Sequence, residues 1–224
     1  MRPKVYEELI RVLRTDDKNM TKLFNKMDAD ENNSMMFVVK DYNSQTGLSH
    51  KLNNEHDVNY EMKGPLGKRL DVDSTGIYYV FAAGTGILPF MDLIGQLAFA
   101  NLGIMNLANA DKQDRISPHE FRLKLYVSFA KRADAYGLDL MFALQNFCKR
   151  ANILNFDLYL RLSEEGLNAG RWEEGFIRTE LRKTPEKDIT RIFVSGPPAM
   201  NETFDRFFEE NKANWLDDSQ IQIL

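Results

Sequence analysis

Residues 77–100 read IYYVFAAGTGILPFMDLIGQLAFA. An apolar run rich in β-branched and aromatic residues, Ile77 to Ala83, meets Gly84, Thr85 and Gly86; a helical pattern follows, with Phe90, Leu93, Ile94 and Leu97 on one face. The order is strand, tight turn, helix. The same 24 residues carry only one charge, Asp92, and are long enough to cross a bilayer. Gly84, Thr85, Gly86 and Pro89 interrupt them in the middle, so the stretch is read as two pieces of a globular core and no membrane span is expected.

Working outward toward the C-terminus, apolar β-formers and helical stripes continue to alternate, which is the pattern of parallel strands joined by crossover helices. Strands are expected at 77–83, 123–130, 156–162, 190–195 and 219–224, and helices near 87–100, 138–151 and 199–211. In the last of these helices, Phe204, Phe207 and Phe208 are expected to face the sheet. Residues 101–122 read as a long loop or helical excursion with no assigned role.

Toward the N-terminus the pattern changes. Residues 35–41 and 58–64 read as strands flanking a short helical segment near Leu48 to Asn53, and two strands make no stable barrel alone. The first eighteen residues read as a short amphipathic helix, with no apolar core of a signal peptide. The division expected is 1–70 and 71–224.

Composition excludes several classes. The chain has 224 residues, 43% hydrophobic, and a net charge of -4, with Lys and Arg scattered, so nothing favours nucleic acid. Cys148 is the only cysteine, which rules out an intrachain disulfide and fits an intracellular, reducing setting, cytoplasmic or mitochondrial, with a peripheral place on a membrane complex also compatible. His50, His56 and His119 lack metal-ligand spacing. Asp28, Asp30, Asn32 and Ser34 alternate as in a calcium loop, yet the sixth position is Asn33 and the twelfth is Val39, where glycine and a bidentate Glu are needed.

Two segments carry the chemistry. In AAGTGILPF, Ala82 to Phe90, a buried strand enters a glycine turn that lets a ligand approach the backbone, and the next helix turns free N–H groups toward an anion. Glycines at such a turn serve packing equally well. In VSGPPAM, Val194 to Met200, Pro197 and Pro198 suit a rigid loop and a helix first turn. In a parallel sheet both segments fall at the carboxyl edge, where open α/β sheets bind ligands.

This pair of segments resembles the ferredoxin-NADP reductase superfamily, and its cytochrome b5 reductase branch most. The resemblance implies a five-stranded parallel Rossmann-like NAD(P)-binding domain of α/β class, preceded by a truncated β-barrel remnant of a flavin domain. It further implies that Gly84, Thr85, Gly86 and Pro89 line the pyrophosphate and nicotinamide, and that Gly196, Pro197, Pro198 and Met200 form the second wall. Ser195 and Thr85 become the candidate catalytic residues. Segment 158–181 is similar to the stretch that meets the adenosine ribose, which brings in Arg161, Ser163, Trp172, Gly175, Phe176 and Ile177. An acid at that strand end would accept ribose hydroxyls and repel a 2'-phosphate. Ser163 stands there, with Arg161 nearby, so NADPH is as admissible as NADH; an exposed strand charge is the other reading of Arg161. Upstream, TGLSHKL looks like the short helix that binds the FAD pyrophosphate, through Gly47, Leu48 and Ser49, although a capping turn explains the same residues.

The match has gaps. The family's Arg-x-Tyr-Ser/Thr flavin segment has no counterpart before Thr46, and Ser195 replaces the family's cysteine. The activity implied is hydride transfer from NAD(P)H to FAD, then single-electron transfer to a haem or iron–sulfur protein, with a partner chain completing or covering the flavin domain. The alternative is a degenerate reductase fold kept as an accessory subunit of a larger assembly.

Overall fold

A computed structural model describes residues 3–15, 47–55, 70–104, 116–166, 172–211 and 217–224. Five strands, β1 (Gly76–Ala83), β2 (Phe121–Phe129), β3 (Phe156–Leu162), β4 (Ile189–Ser195) and β5 (Ile221–Ile223), form one sheet in the order β3-β2-β1-β4-β5. Every pairing is parallel. This is the doubly wound arrangement, in which strand order reverses beside β1.

The helices are α1 (Pro3–Thr15), α2 (Leu48–Asn54), α3 (Met91–Asn101), α4 (Leu138–Ala151), α5 (Glu174–Leu181) and α6 (Pro198–Asn211). The helix expected from residue 87 begins as a 3-10 turn, Gly84–Phe90, and becomes α-helical only at Met91. Pro89 lies inside that turn and has no N–H to donate. Strand β2 starts at Phe121, two residues before the expected start, and β5 is shortened to three residues by a 3-10 turn at Asp218–Gln220.

Strand alternation divides the core between two faces. Tyr79 and Phe81 of β1 and Ile192 and Val194 of β4 pack with Ile177 and Leu181 of α5 and with Phe204, Phe207 and Phe208 of α6. Those phenylalanines are sheet-facing, as expected. On the opposite face Tyr78 stacks on Phe121 at 4.8 Å and on Phe193 at 6.4 Å, and Phe90 meets Phe193 at 5.7 Å.

Under α5 the aromatic face closes over a polar network. Tyr79 Oη lies 2.8 Å from Thr184 Oγ1, and Lys124 Nζ donates to both hydroxyls. Tyr126 donates to Glu180 Oε2 at 2.9 Å, and Lys183 holds the same carboxylate at 2.7 Å. Burial, reinforced by the hydrogen bond to that carboxylate, pushes the Tyr126 phenol far above its ordinary range.

Two compact units divide the chain: one takes residues 1–30 and 72–224, the other 31–71. Helix α1 falls in the same unit as the sheet. It packs on α4. Leu9 and Leu13 are fully buried, and Arg150 donates to the Leu13 carbonyl at 2.6 Å. In the second unit α2 stands as expected over 48–54, while the strands expected at 35–41 and 58–64, and with them the barrel remnant, lie outside the described residues. The calcium-loop positions also lie outside, as does most of segment 101–122. No described helix is long and apolar enough to cross a membrane.

If α1 is part of the sheet unit, Leu13→Ala removes core packing from it. The expected loss is about 2–5 kcal/mol of unfolding free energy, read in urea melts followed by the near-UV signal of the sheet's aromatic residues.

Candidate functional site

The carboxyl ends of β1, β2 and β3 open into a cleft of about 280 Å³ on the α6 side of the sheet. Its floor is a row across the strands. Ala83 ends β1 in register with Ser128 of β2, and both line the cleft. Ser163 and Trp172 form one end, while Pro197, Ala199, Met200 and Thr203 form the wall at the start of α6. Small floor residues on neighbouring strands leave the space, because side chains paired in register leave the sheet on the same face.

The α6 wall is apolar by construction. Pro198 opens the helix and has no N–H, and the N–H groups of Met200 and Asn201 both go to the Pro197 carbonyl, at 2.8 and 3.2 Å. Three of the first helical positions are therefore closed to an anion. Met200 lies tight against Gly196, where an added Cβ would come within 2.6 Å of Met200 Sδ.

At the glycine turn two glycines do different work. Gly84 has φ +57°, the left-handed region, with open space around it. Gly86 has an ordinary φ, but an added Cβ would overlap the backbone carbonyl of Ser195. The turn after β1 thus lies directly on the end of β4, which joins the two chemistry-bearing segments across the point where strand order reverses. Thr85 and Pro89 are exposed, and neither lines the cleft.

Ser195 is 7% exposed and pairs with Ala82, one residue before the cleft floor residue Ala83, so alternation directs it to the opposite face. Of the residues singled out from sequence, Ser163, Trp172, Pro197 and Met200 come together in the cleft. Ser163 donates its N–H to the Phe129 carbonyl at 3.0 Å, which ties the ends of β2 and β3. The exposed-charge reading of Arg161 does not hold. Arg161 is 5% exposed, in register with Ser128, and its guanidinium lies over the Trp172 ring. Gly47, Leu48 and Ser49 belong to the second unit, where Gly47 precedes α2 without a side-chain cap and Leu48 is exposed.

Sequence reading missed Ser128 and Thr203 as lining residues. Thr203 follows Met200 by three positions on α6 and so shares its face, a spacing that marks it. Ser128 carried a weaker signal, a small polar residue ending an otherwise apolar strand. Among the described residues no group of acids, histidines or cysteines could hold a metal.

The two glycines separate in their response to substitution. Gly86→Ala is expected to destabilise by about 1–3 kcal/mol through overpacking against Ser195, and Gly84→Ala by about 1–2 kcal/mol through its left-handed backbone alone. Thermal melts measure both. Only Gly86→Ala is expected to disturb the amide NMR signals of Ser195 and Gly196.

No protein-family model matches the chain, and no curated protein matches it. Solved structures do. The CS-b5R domains of human Ncb5or in the NAD+ form match at TM-score 0.53 and 16% identity, over 80% of this chain and 46% of that one. The cytochrome b5 reductase domain of Ulva prolifera nitrate reductase matches at 0.44 and 13%, over 67% and 50%. Ferredoxin-NADP+ reductase from Plasmodium falciparum with 2'P-AMP matches at 0.43 and 10%, over 67% and 52%. The chain thus spans about half the length of the structures it resembles. At these identities the likeness is one of fold, and with the strand order above it shows a five-stranded parallel Rossmann-like sheet of the kind found in the CS-b5R structure.

Proposed function

We propose that the cleft binds NAD(P)H, and that the chain is the nucleotide-binding part of a flavin-dependent oxidoreductase that passes hydride to FAD and electrons onward to a haem or iron–sulfur acceptor. One observation carries this reading: the cleft sits at the carboxyl ends of β1 to β3, beside the reversal of strand order, between two glycine-bearing turns that pack on each other.

The size and lining suit part of an extended dinucleotide. A volume near 280 Å³ lies just below the range of about 300–1,000 Å³ for whole small-molecule sites, so the remainder of the ligand would extend along the open edge. The lining has hydroxyls, Ser128, Ser163 and Thr203, but no charged side chain. Ser163 would meet a ribose, and its hydroxyl suits a 2'-OH or a 2'-phosphate without the repulsion a carboxylate would bring. The apolar wall at Pro197 and Met200 suits a neutral dihydronicotinamide ring. Gly84, Thr85 and Gly86 would bear on the pyrophosphate between them.

Nicotinamide and flavin supply the redox chemistry when bound; the protein binds, aligns and excludes water. Hydride would pass directly from the dihydronicotinamide ring to the flavin nitrogen N5, so no residue of this chain needs to act as a general base. Ser195 in this reading shapes the β4 end beneath the Gly86 contact. FAD would be held by Gly47, Leu48 and Ser49 of the second unit, together with a partner chain that completes the flavin site.

Titration with NADPH and NADH, read by energy transfer from tryptophan to the dihydronicotinamide, is expected to give a Kd in the range of about 1 µM to 1 mM. Ser128→Phe, which fills the floor, is expected to raise that Kd at least about tenfold with the melting temperature nearly unchanged. No binding at millimolar nucleotide would sink the reading. Added FAD whose absorbance bleaches with the nucleotide supports the complete half-reaction; nucleotide binding without bleaching points to the accessory-subunit role.

A further inference from the structure

We infer that Arg161 is a positioning residue of the cleft, one that fixes the plane of Trp172 from beneath and so sets how tightly a planar ring is held there; this rests on the nucleotide-binding reading above. Ala83, Ser128 and Arg161 form one row across the carboxyl edge, paired in register, so their side chains leave the sheet on the same face. The first two are small and floor the cleft. The third is a long cation, 5% exposed, that does not line it.

What Arg161 touches is the wall. Its guanidinium carbon lies 4.3 Å from the Trp172 ring centroid and 5.1 Å from that of Phe176. A cation over an aromatic face is drawn to the ring quadrupole, more strongly when both are removed from water. Trp172 is itself 5% exposed, and its Nε1–H meets no hydrogen-bond acceptor among the described residues. Among the described residues no hydrogen bond therefore fixes the indole in its plane. Phe81 and Tyr126 meet it edge-on, at interplanar angles of 79° and 84°, and Phe176 lies at 35° with centroids 5.4 Å apart. Edge contacts of this kind tolerate sliding and tilt. The guanidinium adds a directional attraction, because it is planar and prefers the face of the ring. A base or nicotinamide entering over Ser128 and Ser163 would meet a Trp172 surface whose tilt the cation has already set, and a preset wall saves the ordering cost of binding.

The test uses the whole chain with Trp215→Phe, so that Trp172 is the only tryptophan, and NADPH as probe. Arg161→Met keeps the bulk and removes the charge. It is expected to weaken NADPH binding about tenfold, to reduce the near-UV circular dichroism of Trp172, and to leave the far-UV spectrum unchanged. Arg161→Lys is expected to recover part of both. In a Trp172→Phe background the Arg161→Met effect on Kd is expected to shrink, since the two residues act through one contact. An Arg161→Met protein that folds and binds NADPH like its parent, with the same Trp172 spectrum, overturns the assignment, and so does an equal loss in both backgrounds. If Arg161→Met fails to fold, Arg161→Lys decides through the same two readouts. If the parent chain binds no NADPH, the nucleotide reading of the cleft fails, and the Trp172 spectra of the Arg161 variants still decide the positioning role.

Discussion

Strand β1 is paired in register with β2 along its whole length and with β4 from Ile77 to Ala82, and these two ladders are what the rest of the structure depends on. A strand paired on both edges and covered on both faces must be apolar throughout, and Tyr78 to Ala82 are completely buried. The ladders also bring the turn after β1 to the end of β4. Because Gly86 lies on the Ser195 carbonyl, that approach is possible only for a residue without a side chain. Two segments more than a hundred residues apart in sequence thereby become one edge.

The cleft follows from what the strands carry at their last positions. Large aromatics fill the middle of the α5 and α6 face, where Phe81 stacks on Tyr126 at 4.7 Å and Tyr126 meets Tyr159 at 5.8 Å. At the carboxyl edge the row becomes Ala83 and Ser128, and the volume lost by those small side chains is the floor of the site. Its walls are rigid for separate reasons: prolines at the start of α6, and a packed indole at the other end. The lining consists of hydroxyls and apolar groups, with no charged side chain.

Helix α1 shows how sequence position and spatial membership part company. It precedes residues 31–71 in the chain, yet its buried face, Leu9, Val12 and Leu13, belongs to the sheet unit through α4. Its apolar stripe announces a helix that must pack on something, and periodicity is silent on which surface. The same limit applied to Arg161. A charged residue in a strand is exposed far more often than buried, and here the guanidinium lies over the rings of Trp172 and Phe176.

By itself the sequence determined that five apolar strands alternate with helices, that glycine turns and prolines punctuate two of the strand ends, and that the sheet is parallel. These are local properties: hydrophobic period, turn residues and helix starts are written in neighbouring positions. It was the family resemblance, and not the residue pattern, that drew attention to Ser163, Trp172, Pro197 and Met200, and the fold brings these four into one cleft. Tertiary structure alone decided that Gly86 packs on Ser195, that Ser195 turns away from the cleft, that Ser128 and Thr203 line it, and that Arg161 lies beneath Trp172. Ser128, Ser195 and Arg161 depend on register between strands far apart in the chain, and a shift of a single residue would have sent their side chains to the other face.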